Sequence, residues 1–528
     1  MLAQRLAALL VAVALTSATA AAQEPLRDGP EALAAARRLL SAGRPELALL
    51  RIEQSQQAGT ARWTDWETLR MGALSALGRW TELAARVQAL PAGSDLPGPF
   101  LRGAWLAGAE AALLGSAGPG ATAAAQARTL AAQAVWSAAP TTDEVRRAQV
   151  LVIESLFAGN DAAAGYRSIL RFRQDLPALP VPTAARFLLL MAGHGQAPEA
   201  LPLLPLLPEA HPVRIAVQVR LGLLSPPGAA ALARVALREP TTVPARSGPP
   251  AAGLPAPGAA AAASAPVATA AVSASASTAA WATREWLLLR NALEGIDPLL
   301  VAGAAERALD ADPVAPMAAS LARALWRDYL AAAPAVANRE QLLVGDPFGW
   351  SDAAARVAGR DPLAARVLFA YLSLNAPEAD AREAARLQLA GLLRQAGLGA
   401  AAARLFLDRD AFDPSRHPPE LRRLLSDAAG ARRLHALAAD FRQGLVPRPG
   451  EDADGWRLAG AEAQARAGRL PEALQSALSL FTGPRSAMPR PAVIVRTHAL
   501  ADLFADAGDA AGAARLREAA GALPARRP

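Results

Sequence analysis

The side chains that could do chemistry are few and scattered. "GWSDA", Gly349 to Ala353, is half of the GxSxG turn that lifts a nucleophilic serine, here Ser351, above a sheet. Such a turn needs a strand before it and a glycine after it, whereas Asp346-Pro347-Phe348 precede this one and Ala353 closes it. Ser351 reads instead as a helix N-cap. "GSAGPGAT", Gly115 to Thr122, is a glycine-rich turn before a helix, where free N–H groups could hold an anion. With no lysine behind it, an interhelical loop is the simpler reading. His194, His211, His417, His435 and His498 form neither HExxH nor a close pair of metal ligands. The composition closes further routes. All 54 basic residues are Arg, and Cys is absent. Without Lys there is no Walker-type phosphate loop, Schiff base or pyridoxal-phosphate anchor; without Cys there is no disulfide, thiolate nucleophile or iron–sulfur ligand. No cofactor or metal is expected.

The elements that would position any site are helices. Hydrophobic residues make up 52% of the 528, but Ala dominates them and only 5% of the chain is aromatic. Ala is the best helix former, and runs of Val, Ile, Tyr and Thr that mark strands are nearly absent. Much of "DWETLRMGALSALGRWTEL" (Asp65 to Leu83) returns as "DGWRLAGAEAQARAGRLPEAL": Trp66, Gly78, Arg79 and Glu82 reappear as Trp456, Gly468, Arg469 and Glu472. Trp66, Leu69, Ala73 and Leu77 share one helix face. Gly78 fits a left-handed C-cap, Thr81 a cap for the next helix, and Glu82 that helix's first turn, where a carboxylate suits the dipole. "GHGQAPEALPLLPLLP" repeats the pattern with Gly195, Pro198, Glu199 and Ala200. Looser copies follow Gly43, Gly159, Gly397 and Gly508. The unit is helix, glycine turn, helix.

These residues resemble the tetratricopeptide repeat family, whose helical hairpins stack into a superhelix with a concave partner-binding groove. Trp66-x-x-Leu69 matches the family's opening Trp-x-x-Leu, Gly460 follows Trp456 at the family's offset, and Ala200 and Ala473 stand where it keeps a small residue at the hairpin crossing. The step from Trp to the turn Gly is one residue longer than the family's, and its mid-helix Tyr is missing. The resemblance implies groove contacts at Arg70, Ser75, Glu462 and Arg466, with Trp66, Gly78, Glu82, Gly195, Glu199, Trp456, Gly468 and Glu472 as structural anchors. Glu462 and Arg466, four apart, read equally as a helix-surface ion pair.

A second resemblance comes from "IESLF", Ile153 to Phe157. Its Glu-Ser-x-Phe is similar to the surroundings of the catalytic acid in lytic transglycosylases, which would make Glu154 a general acid acting on peptidoglycan. That family continues into a Gly-Leu-Met-Gln-like segment, whereas "AGNDAAAGYRSIL" here opens another hairpin, so a buried or half-exposed Glu on an ordinary helix is the plainer reading. A third possibility, a carbohydrate-binding adaptor of polysaccharide export, needs exposed rings at Trp63, Trp80 or Trp105. The densest Arg run, Arg416 to His435, could dock an acidic partner or an anionic glycan; Glu420 and Asp427 within it suit a solvated helix face.

The formal charge is +7 with a pI near 10.8, but Arg is interspersed with Glu and Asp, which does not suit nucleic-acid binding. At the N-terminus, Arg5, the apolar Leu6 to Leu15 and Ala20-Ala21-Ala22 have the form of a cleaved signal peptide over 1–22, leaving no integral membrane segment in the mature chain. Residues 239–280, rich in Pro, Ala and Ser, read as a disordered linker between helical-repeat lobes at 23–238 and 281–525. The expectation is an all-α, two-lobed α-solenoid of stacked hairpins, exported to the periplasm, non-catalytic, and binding protein partners of the cell envelope, with a glycan as a possible ligand.

Overall fold

The computed structural model describes residues 29–56, 61–90, 96–115, 120–175, 179–195, 198–238, 281–311, 315–337, 347–407, 416–482 and 490–521. The expected signal peptide (1–22) and linker (239–280) lie outside the described residues. Every element described is helical, as the Ala-rich composition requires, and there is no strand among the described residues. Consecutive helices pack in pairs. Gly98–Leu114 lies on Ala121–Trp136, Pro298–Ala311 on Ala315–Val336, Ala453–Arg466 on Leu470–Thr482, and Arg490–Ala507 on Ala510–Gly521. Helices two apart also touch, 98–114 with 142–158 in one set and 453–466 with 490–507 in another, so these neighbouring hairpins stack. Among the described residues, no helix is long and apolar enough to cross a membrane.

The turns follow from backbone sterics. Gly78 and Gly468 have φ of 65° and 81°, the left-handed region that a side chain makes costly. At the second, Gly468 N–H bonds to Ala465 O at 3.0 Å and Arg469 N–H to Gln464 O at 2.9 Å, closing the carbonyls of helix Ala453–Arg466. The turn after Phe157 is built differently from the expectation. Gly159 has φ −84°, and the left-handed residue is Asn160 at 61°. Arg433, at 60°, makes a turn of the same kind between Pro419–Ala431 and His435–Arg442 without any glycine. The Gly195 copy turns as expected, at φ 74°, but Pro198–Leu206 is a 3₁₀ helix rather than an α-helix. Pro202 and Pro205 lie inside it, and each removes an N–H that an α-helix would use. Thr81 is not a cap: helix Trp80–Gln88 begins one residue earlier, behind Arg79, with no side-chain cap. Ser351 is likewise no cap, because its helix, Pro347–Ala358, is already under way.

Small residues let the paired helices approach. A Cβ on Gly165, in helix Ala162–Asp175, would come 2.6 Å from the ring of Phe157 in helix Thr142–Ala158. Trp66 is completely buried, whereas its counterpart Trp456 is half-buried, so the two copies of the phrase are not equivalent in packing.

The chain forms two compact units, divided differently from the expected lobes 23–238 and 281–525. One holds the described residues of 1–74 and 450–528; the other holds those of 75–238 and 281–449. In the first, helices Pro30–Ser41 and Pro45–Ser55 pack against Arg490–Ala507, and Arg38 Nη2 donates to Asp506 at 2.6 Å. In the second unit, helices on both sides of 239–280 share a core, Ile215, Ala233 and Ala236 with Trp286, Leu289 and Leu293.

Candidate functional site

Helix Thr142–Ala158 starts at a capping box. Glu144 N–H donates to Thr141 Oγ1 at 3.2 Å, and Thr141 N–H to Glu144 Oε2 at 2.7 Å. That fixed start sets the register of Arg147 and Glu154, seven residues apart and so on one face. Arg147 Nη2 donates to Glu110 of helix 98–114 at 2.7 Å. Glu154 is only 5% exposed, and Arg186 from helix Val181–Gly193 approaches its Oε1 at 3.4 Å. Trp281, at the start of the helical run 281–292, has the guanidinium of Arg186 at 5.0 Å and that of Arg284 at 4.9 Å from its ring centre. Glu285, one turn on, has Oε2 3.9 Å from His211 Nε2. Five elements thus bring three Glu, three Arg, a His and a Trp together inside the second unit.

The electrostatics follow from burial. Glu154 is raised to about 7, first by loss of water, then by Glu110, against the opposing pull of Arg186. Glu285 is also raised to about 7 by burial, with Arg186 opposing. Burial lowers His211 to about 4, and it lowers Arg284 against the raising effect of Glu154. His211 Nδ1 accepts from Val213 N–H at 3.3 Å, capping helix Pro212–Arg220, so the neutral ring carries its proton on Nε2, towards Glu285. A carboxyl that holds a proton near neutrality is suited to general acid work. Glu154 is, however, enclosed by packed neighbours rather than set in an open cleft. A groove of about 480 Å³ in the other unit is lined by Pro471, Leu474, Gln475, Leu478, Ser479 and Arg515, with no carboxylate among these described residues.

A second polar cluster staples the helices between 298 and 432. Glu306, 1% exposed at its side chain, accepts from Arg366 Nε at 2.7 Å, Arg366 Nη2 at 2.6 Å and Tyr329 Oη at 2.7 Å. Asp310 accepts from the N–H groups of Ala400 and Ala401 at 2.9 and 3.2 Å and pairs with Arg432. Arg422 donates to the carbonyls of Phe441 and Gln443, and Arg423 to that of Val446. Arg422, Arg423 and Arg432, within the run Arg416 to His435 read as a solvated helix face or a docking patch, therefore hold their own fold together, and the first two are buried.

The groove residues implied by the repeat pattern are also engaged internally. Arg70 Nε donates to Gln56 Oε1 at 2.9 Å, and Gln56 to Glu67 at 2.8 Å. Ser75 is 2% exposed and so is not displayed to solvent. Glu462 accepts from Arg466 at 3.3 Å and from Arg496 at 3.0–3.1 Å, so the helix-surface pair extends onto a neighbouring helix. Glu82 pairs with Arg79, Glu472 is exposed in the first turn of its helix, and Glu199 stands in the first turn of the 3₁₀ helix. Trp80 is buried, Trp63 and Trp105 are half-buried, and among the described residues the displayed Trp ring is that of Trp136, 87% exposed at the end of helix 121–136. Sequence periodicity missed it because Ala124, Ala127, Ala131 and Ala134 form the helix's buried stripe and Trp136 falls outside it. Among the described residues there is no group of three His, Asp or Glu able to hold a metal ion. No family model and no curated protein matches the sequence.

Proposed function

We propose that the protein is an exported, periplasmic, non-catalytic scaffold of tetratricopeptide-like hairpins that binds protein partners in the cell envelope. The observation that carries this reading is the pairing of successive helices in both units, which presents long helical surfaces while committing the charged interior to holding hairpins together. The signal-peptide pattern at 1–22 supports export. The test is crosslinking in intact cells after fractionation, followed by reconstitution of each captured protein with the purified chain. Saturable binding to a periplasmic or membrane-facing protein is the expected result, and recovery of the chain only in the cytoplasm overturns the reading.

One observation favours a second reading, a peptidoglycan-acting enzyme or its degenerate relative: the Glu154 carboxyl, raised to about 7, has the proton affinity of a general acid. Incubation of purified protein and its Glu154→Gln variant with peptidoglycan separates the two. The scaffold reading expects no glycan release from either; release that disappears in the variant establishes the enzyme.

A further inference from the structure

Helices Ala121–Trp136 and Ala162–Asp175 are the second members of successive hairpins, and helix Thr142–Ala158 packs against both through short turns. They therefore run the same way, with their starts adjacent: a Cβ on Gly159, in the turn before the second, would lie 3.6 Å from the Cβ of Ala124 in the first. Each buries one stripe, Ala124, Ala127, Ala131 and Ala134 in the first and Gly165, Ile169 and Phe172 in the second. The opposite faces carry Arg128 and Trp136 on one helix and Arg167, Leu170 and Arg171 on the other, all exposed.

This face is basic without compensation. Helix 121–136 has no acidic residue, and Asp175 is the one acid of helix 162–175. Arg128, Arg167 and Arg171 have no ion pair or side-chain hydrogen bond among the described residues. The acids that flank the two helices are already engaged: Asp161 accepts from Ala164 N–H at 3.1 Å, Glu144 pairs with Arg102 at 3.0 Å and Asp143 with Arg146 at 3.8 Å. Among the free cations stand two apolar side chains held out in solvent, Trp136 at 87% and Leu170 at 40% exposure.

We propose that this face docks on the surface of an anionic lipid bilayer, with Arg128, Arg167 and Arg171 at the phosphates and Trp136 and Leu170 entering the headgroup region. Three uncompensated cations call for a negative partner. Trp136 and Leu170 project singly from different helices, and a fluid interface accepts separated side chains where a folded protein must supply a pocket for each. An indole ring suits the headgroup boundary, and a guanidinium reaches phosphate while its stem lies along apolar surface. The contact adds a lipid surface to the protein partners proposed above and does not depend on them.

Flotation of the purified full-length protein with vesicles tests this, using phosphatidylcholine alone and phosphatidylcholine containing one-third phosphatidylglycerol, at low and high salt. Binding is expected to the anionic vesicles only, and salt should weaken it. Arg167→Gln/Arg171→Gln should weaken it by roughly 25-fold, about 5-fold for each cation near an anionic surface, with an unchanged melting temperature. Arg356→Gln/Arg360→Gln, which removes the same charge from exposed positions near Asp352 and Asp361, should leave binding within about 2-fold. Trp136→Ala should weaken binding and remove the quenching of indole fluorescence by lipids brominated in their acyl chains. No binding to anionic vesicles, equal losses in the two Arg pairs, or binding indifferent to Trp136→Ala overturns the proposal. Equal affinity for soluble polyglutamate also overturns it, by making an acidic chain the occupant of the face.

Discussion

Replacing Arg366 with Met should be among the most damaging single changes in the second unit. Glu306 receives three hydrogen bonds of 2.6–2.7 Å, two of them from Arg366, and has 1% of its side chain exposed. The variant leaves the carboxylate with the Tyr329 hydroxyl alone. Breaking a buried pair by removing one partner costs about 3–5 kcal/mol. Two charge-assisted bonds at about 1.5–3 kcal/mol each give an overlapping range. The apolar triple variant Glu306→Leu/Tyr329→Phe/Arg366→Met removes every group that would be stranded, and should return to within about 1–2 kcal/mol of the wild type. Because the chain has two compact units, one global unfolding curve is ambiguous. The assay is therefore urea unfolding read by hydrogen exchange in helix 298–311. A loss below about 1 kcal/mol for Arg366→Met, or a triple variant as unstable as the single one, would refute the reasoning.

Trp66→Ala should cost roughly 3–5 kcal/mol, because the ring is completely buried, and Trp456→Ala less, because its ring keeps some contact with solvent; equal shifts in thermal unfolding would contradict the burial difference. Arg433→Gly should stabilise its hairpin by about 1 kcal/mol, since Arg433 occupies φ 60° where glycine has no steric penalty, and an unchanged or lower melting temperature would count against that turn. Trp136→Ala, at a ring 87% exposed, should move stability by no more than about 0.5 kcal/mol, and a larger loss by thermal melting would mean the ring is packed.

The helices and the turns at Gly43, Gly78, Gly195, Gly397, Gly468 and Gly508 could be read from the sequence because a left-handed backbone selects glycine and so marks the text. Asn160 and Arg433 take the same conformation without that mark, which is why the first was misplaced by one residue and the second passed unseen. The polar clusters were hidden for a different reason. Glu306 finds Arg366 at a separation of 60 positions and Asp310 finds Arg432 at 122, and no local periodicity reports such pairings. Glu154 drew notice through a short motif, but its burial, its partner Arg186 and the Trp281 brought from beyond residue 280 come from tertiary packing. The Arg38 to Asp506 contact, which joins residues 468 apart, is hidden from local pattern in the same way.

Crosslinking in the intact envelope, followed by binding of the captured protein to the purified wild type and to Glu154→Gln, tests the scaffold most directly. A discrete periplasmic or membrane-facing partner that binds both forms with equal affinity is the predicted result. Capture of no partner, together with glycan release from peptidoglycan by the wild type alone, would contradict it.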